Sequence, residues 1–151
     1  MSTEVNKKII KRFYEELWNK RQLDTADEIF AENCVTHQLR SGEPDEGMPR
    51  GPGEMRQHVS QWIAAFPDLR FEVDRMVAEG DLVVTCSLMR GTHRGVWAGI
   101  RPTGSKVEIR MCVTHRIADG RIAEDWVLVE ALGFFQQIDL LPDTEKILGG
   151  R

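Results

Sequence analysis

The sequence predicts an α+β fold in which helices cover one face of a curved sheet. Two observations support this prediction. Three segments with helical spacing of apolar residues precede residue 67, and strand-like runs follow from residue 69 onward. No repeat or low-complexity tract interrupts this order. Because 151 residues suffice for one domain with a buried core, we expect a single domain over residues 1–151.

The helical part of the prediction depends on three segments. Apolar side chains between Val5 and Trp18 recur on one broad helical face. A short second helix is expected over residues 25–31, and a third over residues 54–66, where Pro67 ends it. Residues 34–39 have the composition of a short strand and lie between the second and third helices.

Residues 41–53 break all periodicity. This segment contains four glycines and three prolines, which exclude a continuous helix or a central strand. A loop of this length in a compact domain is either disordered or a lid over a site. The sequence leaves both alternatives open.

Four long strands are expected in the remainder of the chain. In the first of them the alternation slips near Met76, which predicts a bulge. Gly80-Asp81 then turns the chain, and a looser connection follows the second strand. The expected strands cover residues 69–78, 82–93, 106–117 and 121–130, and a closing helical turn covers residues 133–138.

The last hairpin contains the most informative residue. Asp119-Gly120, between two strand-forming runs, is a strong hairpin signal. The second run carries Asp125 among apolar neighbours, and a buried carboxylate is costly unless it is neutralised, paired or used. Because side chains alternate along a strand, either Asp125 or its neighbour Glu124 faces inward in any register.

Two registers are compatible with this turn. A two-residue turn pairs Asp125 with Thr114, whereas a three-residue loop with a glycine bulge places Asp125 opposite Val113. We favour the bulged form, because Gly120 supplies the positive φ that the third loop position needs. One face then combines an acid and an imidazole with apolar side chains, as a ligand pocket does. The residues of this face are Met111, Val113, His115, Ala123, Asp125 and Val127.

Composition and charge exclude several classes of protein. A net charge of -4 without a long basic cluster argues against a nucleic-acid partner. No apolar run approaches the ~20 residues that span a bilayer, and the amphipathic N-terminus lacks a secretion signal, so we expect a cytoplasmic protein without a membrane partner. The three cysteines are expected to be buried free thiols, and the four histidines lack the spacing of a metal site.

Several segments resemble the SnoaL-like polyketide cyclases. The family's C-terminal hairpin is similar to RIADGRIAEDWVLVEALGFFQQ, its helix end, strand and turn to AFPDLRFEVDRMVAEGD, and its strand end and following loop to GTHRGVWAGIRPTGSKV. The N-terminal KRFYEELWNKRQLDTADEIFAENCVTHQ resembles the two-helix opening of the wider nuclear-transport-factor-2-like superfamily. The resemblance extends over nearly the whole chain. It implies a cone-shaped, cystatin-like roll with an antiparallel or mixed sheet packed against N-terminal helices.

The resemblance also implies a chemistry. The family's reaction is an intramolecular aldol ring closure of an aromatic polyketide ester, without metal or organic cofactor. Asp125 matches the family's acid/base position, and burial raises the pKa of a carboxyl toward the useful range. The match fails at one place, because the family's pocket histidine on the preceding strand falls near Met111, four residues before His115. The fold also hosts isomerases, hydrolases, dehydratases and non-catalytic binding proteins, which are the alternatives.

Nine residues are therefore candidates for the site. Asp125 and His115 are expected to be catalytic, and His37 to reach the pocket mouth or to be a half-exposed strand residue. Tyr14 could orient a ligand carbonyl. His93 could donate to a substrate carbonyl or cap a turn, and His58 is expected to face solvent. The residues expected to bind substrate are His37, Tyr14, Trp62, His93, Met111, Val113 and Val127.

The expected ligand is a hydrophobic small molecule such as an aromatic polyketide, bound without metal or cofactor. Exposed edges of the curved sheet lead us to expect a homodimer or a higher homo-oligomer, because superfamily relatives usually pair through that sheet.

Overall fold

The computed structural model describes residues 2–150 and contains a curved, unclosed six-stranded sheet with helices on one face. This confirms the predicted α+β class. The helices are α1 (Thr3–Arg12), α2 (Thr25–Ile29), α3 (Pro52–Ala65), α4 (Ala131–Gln137) and α5 (Thr144–Ile147). The strands are β1 (Phe30–Gln38), β2 (Met48–Pro49), β3 (Arg70–Glu79), β4 (Leu82–Thr92), β5 (Lys106–Ala118) and β6 (Arg121–Val129).

The sheet is mixed, with the strand order β2-β1-β6-β5-β4-β3. β1 runs parallel to β6, and every other neighbouring pair is antiparallel. The core lies between the inner face of this sheet and the N-terminal helices. Among residues 2–150, no helix is long and apolar enough to cross a membrane.

The first helix changes geometry part-way along the predicted apolar face. Ser2 caps its start by accepting a hydrogen bond from the Val5 amide at 3.2 Å. After Arg12 the chain continues as a π-helical segment, Phe13–Asn19, in which Phe13, Tyr14, Leu17 and Trp18 are buried. Such segments are rare and frequently occur at functional sites, and nothing in the apolar spacing distinguishes this one from an α-helix.

Two expectations about the first half of the chain need correction. The second helix was expected to end at residue 31 and the following strand to start at residue 34. In the structure α2 ends at Ile29, and β1 begins directly after it, at Phe30. Within residues 41–53, Met48 and Pro49 form the short edge strand β2 beside β1, so part of this segment is regular structure. Edge strands tolerate proline because one side of their backbone has no partner strand.

The final hairpin has neither of the two registers considered. Asp119 and Gly120, with φ of 50° and 74°, form a two-residue turn, and Asp125 pairs with His115. The register shifts within β6 because Ala123 has no partner on β5, so a bulge follows the turn. The pairing therefore differs by two residues from the favoured prediction. Because side chains alternate with a period of two, a shift of two residues leaves them on their predicted faces. The one exception in the predicted inner face is Ala123, which lies at the bulge.

The expectation that all three cysteine thiols are buried is wrong for the two that lie on the outer face of the sheet. Cys34 is buried, but Cys112 is exposed and its Sγ lies 3.4 Å from Sγ of the half-buried Cys86 on the paired strand. The predicted bulge in β3 is confirmed, with a register shift between Val73 and Arg75.

Candidate active site

A cavity lies between the inner face of the sheet and the helical layer. It has a volume of about 110 Å³ and a mostly apolar wall. We call it the inner chamber. The helical side and β3–β4 contribute Phe13, Trp18, Met55, Trp62, Phe71 and Met89. The strands β5 and β6 contribute Met111, Val113, Val127 and Val129.

A second space of about 220 Å³, the outer chamber, lies beside the first. The two chambers share six lining residues, and we call this shared boundary the neck. Beyond the neck the outer chamber is bounded by Leu39, Trp97 and Phe134 among others. Together the chambers reach the lower end of the range of about 300–1,000 Å³ that small-molecule sites occupy. The six shared residues are Gln38, Arg50, His58, Trp62, Val127 and Val129.

Asp125 lies on β6 with its carboxyl in the inner chamber and is only 5% exposed. Its partner across the parallel pair β1–β6 is Thr36, whose hydroxyl donates a hydrogen bond to Oδ1. Loss of hydration raises the pKa of Asp125 to about 6, although the Thr36 hydrogen bond and the charge of Arg50 favour the ionised form. The carboxyl therefore exchanges its proton close to neutral pH.

His115 is the cross-strand neighbour of Asp125 and is 0% exposed. Its Nδ1 lies 4.0 Å from Asp125 Oδ2, which is too far for a hydrogen bond. Burial lowers the pKa of His115 to about 3, so the ring is neutral and the contact is no ion pair. Among the described residues, neither ring nitrogen has a hydrogen-bond partner. One donor and one acceptor are thus available beside the acid.

Tyr14 and Trp62, two of the residues expected to bind substrate, also line the inner chamber. The Tyr14 hydroxyl is hydrogen-bonded to Thr85 Oγ1 at 2.7 Å, and burial raises its pKa to about 12. Tyr14 is therefore a neutral group with its hydroxyl already partnered. Trp18, also in this wall, has a buried indole N–H without a partner among residues 2–150.

Two predicted binding residues lie outside the lining of both chambers. His37 is on the outer face of the sheet, where it contacts Glu124 at 2.7 Å and stacks on Trp126. It follows the inward-facing Thr36, so strand alternation turns it away. His93 is fully buried, stacks on Phe66 and lies 3.1 Å from Thr103 Oγ1, which anchors the connection after β4.

Among the lining residues that are absent from the predicted set, three polar ones bear on the chemistry of the site. Thr36 could have been inferred from alternation, once its neighbour His37 is placed on the outer face. His58 was expected to face solvent, yet it lies at the neck beside Trp62, and burial lowers its pKa to about 3. The only indication in the sequence that His58 faces inward is its helical spacing, three residues after Met55 and four before Trp62. Arg50 comes from the glycine- and proline-rich segment and carries no periodicity at all.

Metal-binding side chains do not cluster in the part of the chain that the structure describes. No group of three or more His, Cys, Asp or Glu side chains within residues 2–150 is arranged to hold a metal ion.

Comparison with known proteins decides the family. The sequence profile of the SnoaL-like polyketide cyclases matches residues 8–138. The chain belongs to this family. No functionally curated protein is similar enough in sequence to count as a match.

Several solved structures are similar to this chain over most of its length. IdmH from Streptomyces antibioticus, a proposed polyketide cyclase, is 31% identical, with 89% of this chain and 98% of that chain covered and a TM-score of 0.74. A proposed polyketide cyclase from Acidithiobacillus ferrooxidans is 28% identical, with coverage of 92% and 98% and a TM-score of 0.77. AclR from Streptomyces galilaeus, a proposed hydroxylase, is 24% identical, with coverage of 97% and 88% and a TM-score of 0.80, and supports the fold alone.

Proposed function

We propose that this SnoaL-like protein is a cofactor-independent acid/base enzyme that closes a ring in a hydrophobic, polyketide-like carbonyl compound by intramolecular aldol addition. The observation that supports this most is Asp125, a nearly fully buried carboxyl in an apolar cavity with a pKa of about 6. A general base works best when its pKa lies near the ambient pH, so this carboxyl suits proton transfer from carbon.

The proposed reaction is a net isomerisation in which every atom is retained. Because Thr36 donates to Oδ1 of Asp125, Oδ2 is the oxygen free to accept a proton from the carbon beside a carbonyl. The resulting enolate carbon attacks a second carbonyl in the same molecule, and a carbon–carbon bond forms. Asp125 then returns the proton to the new alkoxide, which regenerates the carboxylate.

His115 supplies the second part of the proposed mechanism. Its neutral ring has an N–H without a partner next to Asp125, so it can donate a hydrogen bond to the oxygen on which enolate charge develops. The wall of the inner chamber is mainly aromatic and aliphatic, and such a medium screens charge weakly, which strengthens this hydrogen bond. The same apolar wall favours the binding of an apolar substrate.

The test compares two acids that are adjacent in sequence and face opposite sides of the sheet. Wild-type protein, Asp125→Asn and Glu124→Gln are mixed with aromatic polyketide esters or with the corresponding free carboxylic acids, and ring closure is followed by chromatography. Loss of general acid/base catalysis lowers the rate of Asp125→Asn by about 10²–10⁴-fold, whereas Glu124→Gln stays within a few-fold of wild type. An equal rate in wild type and Asp125→Asn contradicts the mechanism. Ligand binding without turnover by wild type favours the alternative, a non-catalytic binding protein.

A further inference from the structure

We propose that Arg50, at the neck between the two chambers, binds a carboxylate group of the ligand, so that the preferred ligand is an apolar organic anion. This inference deepens the proposed function, because it names the chemical class of the ligand. Binding itself requires no proton transfer, so the two proposals can fail separately.

The backbone holds Arg50 firmly at this place. Its amide donates a hydrogen bond to the carbonyl of Cys34 at 2.8 Å, which extends the pairing of β2 with β1. The next residue, Gly51, caps α3 and accepts a hydrogen bond from the Met55 amide at 2.9 Å. The arginine is thus fixed between a strand pair and a helix start, and its side chain lines both chambers.

In the described part of the chain the guanidinium group of Arg50 has no carboxylate in direct contact, although Asp125 and Glu54 attract its charge at longer range. Within residues 2–150, no carboxylate lies within salt-bridge distance of it, and its one side-chain hydrogen bond goes to Met48 Sδ at 3.8 Å. Within residues 2–150, six arginines contact a carboxylate within salt-bridge distance, and Arg50 is not among them.

The surroundings make this unpaired charge costly. Arg50 is half-buried, and burial lowers its pKa, although the side chain stays cationic. Its neighbours at the neck are the amide of Gln38, the neutral imidazole of His58 and the apolar Trp62 and Val127. A buried cation is stabilised when an anion arrives, and a guanidinium fork fits a carboxylate with two parallel hydrogen bonds.

The position of Arg50 also orients such a ligand. The carboxylate would occupy the neck, and the apolar body would extend into the inner chamber toward Asp125. Asp125 lines the inner chamber but not the outer one, and its charge attracts Arg50, so the ligand's carboxylate would approach Arg50 from the outer chamber.

The experiment uses a matched pair of probes, 2-naphthoate and its neutral analogue 2-naphthamide, with binding measured by isothermal titration calorimetry near neutral pH and at low salt. We expect wild type to bind the naphthoate about tenfold more tightly than the amide, the size of a charge-assisted hydrogen-bonded contact. In Arg50→Gln this ratio falls to about one, while the affinity for the amide is kept. Arg50→Lys, which keeps the charge but loses the fork, gives an intermediate ratio and serves if Arg50→Gln does not fold.

Arg101→Gln is the matched control, because Arg101 is exposed and outside both chamber linings, and it loses the same charge. We expect Arg101→Gln to keep the wild-type ratio of affinities for 2-naphthoate and 2-naphthamide. Equal binding of both probes by wild type overturns the inference, as does a preference for naphthoate that survives in Arg50→Gln. Asp125→Asn separates the two proposals, since it keeps the naphthoate preference even where ring closure is lost.

Discussion

At the scale of single residues, Asp125 links stability to pH in an unusual direction. Its pKa is about 6 in the folded protein, above the ordinary value of 3.8, because desolvation disfavours the charged form. The folded state therefore binds the proton more tightly than the unfolded state does. The stability that this difference contributes is complete below about pH 4 and is lost as the pH rises through about 6.

Substitution of this one side chain should therefore remove part of the pH dependence of stability. Between about pH 4.5 and pH 7.5, we expect the free energy of unfolding of wild type to fall by about 2 kcal/mol relative to that of Asp125→Asn. Urea unfolding at both pH values measures the difference. The exposed Asp45, changed to Asn, is the control and should show no such change. A constant difference between wild type and Asp125→Asn would mean that the carboxyl is not desolvated.

The opposite pH dependence belongs to His58 and His115, whose pKa values burial lowers to about 3. Their contribution to stability is present above the ordinary value of 6.5 and is lost as the pH falls toward 3. Wild type and Asp125→Asn both contain these histidines. The difference between their unfolding free energies therefore cancels most of the histidines' contribution to the pH dependence.

The sequence predicts a site residue where a local rule, such as strand alternation, determines the face to which its side chain points. Alternation along β6 requires one of Glu124 and Asp125 to face inward, and the same rule places His115 beside the inward acid. Arg50 obeys no such rule. Its side chain reaches the neck because β2 pairs with β1 and α3 begins immediately afterwards, which is a tertiary arrangement without a periodic signature.

At the scale of elements, the hairpin shows why a face is easier to predict than a register. Two features absent from the favoured prediction, the two-residue turn and the bulge at Ala123, together shift the pairing by two residues and leave the faces unchanged. The bulge has no marker in the sequence, because alanine neither requires a positive φ nor avoids a strand as proline does. The helices and long strands follow from periodicity, and their ends differ from prediction by a few residues.

The short strand β2 offers a test of how the neck is held. Gly47 has φ of 75°, and a Cβ there would lie 2.7 Å from the Thr36 carbonyl oxygen. Gly42 has φ of 89° with nothing within 4 Å. Alanine at either position is strained, but only Gly47→Ala also pushes β2 away from β1. We expect Gly47→Ala to be less stable than Gly42→Ala by about 1–3 kcal/mol in urea unfolding.

The same pair of variants connects this element to ligand binding. Because Arg50 follows β2 directly, Gly47→Ala should reduce the preference for 2-naphthoate over 2-naphthamide, whereas Gly42→Ala should keep it. Equal stability and equal probe binding in the two variants would show that β2 does not position the arginine.

At the scale of the whole molecule, the two faces of the sheet have different roles. The inner face carries the core and the chambers, while the outer face exposes an apolar row that crosses four strands. In register order this row contains Val77, Val84, Thr114 and Trp126, and Leu128 lies beside it. Val77 is 64% exposed and Leu128 50% exposed. Charges of both signs, such as Arg110 and Asp74, border the row, as a surface that pairs with itself requires.

We therefore expect the protein to form a homodimer through this outer face. Leu128→Glu places a charge in the middle of the apolar surface, and a buried unpaired carboxylate in the interface would dissociate the dimer. Leu148→Glu is the matched control, because Leu148 is also 50% exposed but lies at the end of α5. Sedimentation velocity at micromolar concentration should give a dimer for wild type and Leu148→Glu and a monomer for Leu128→Glu. A monomeric wild type, or a Leu128→Glu variant that remains dimeric, would show that this face does not pair the subunits.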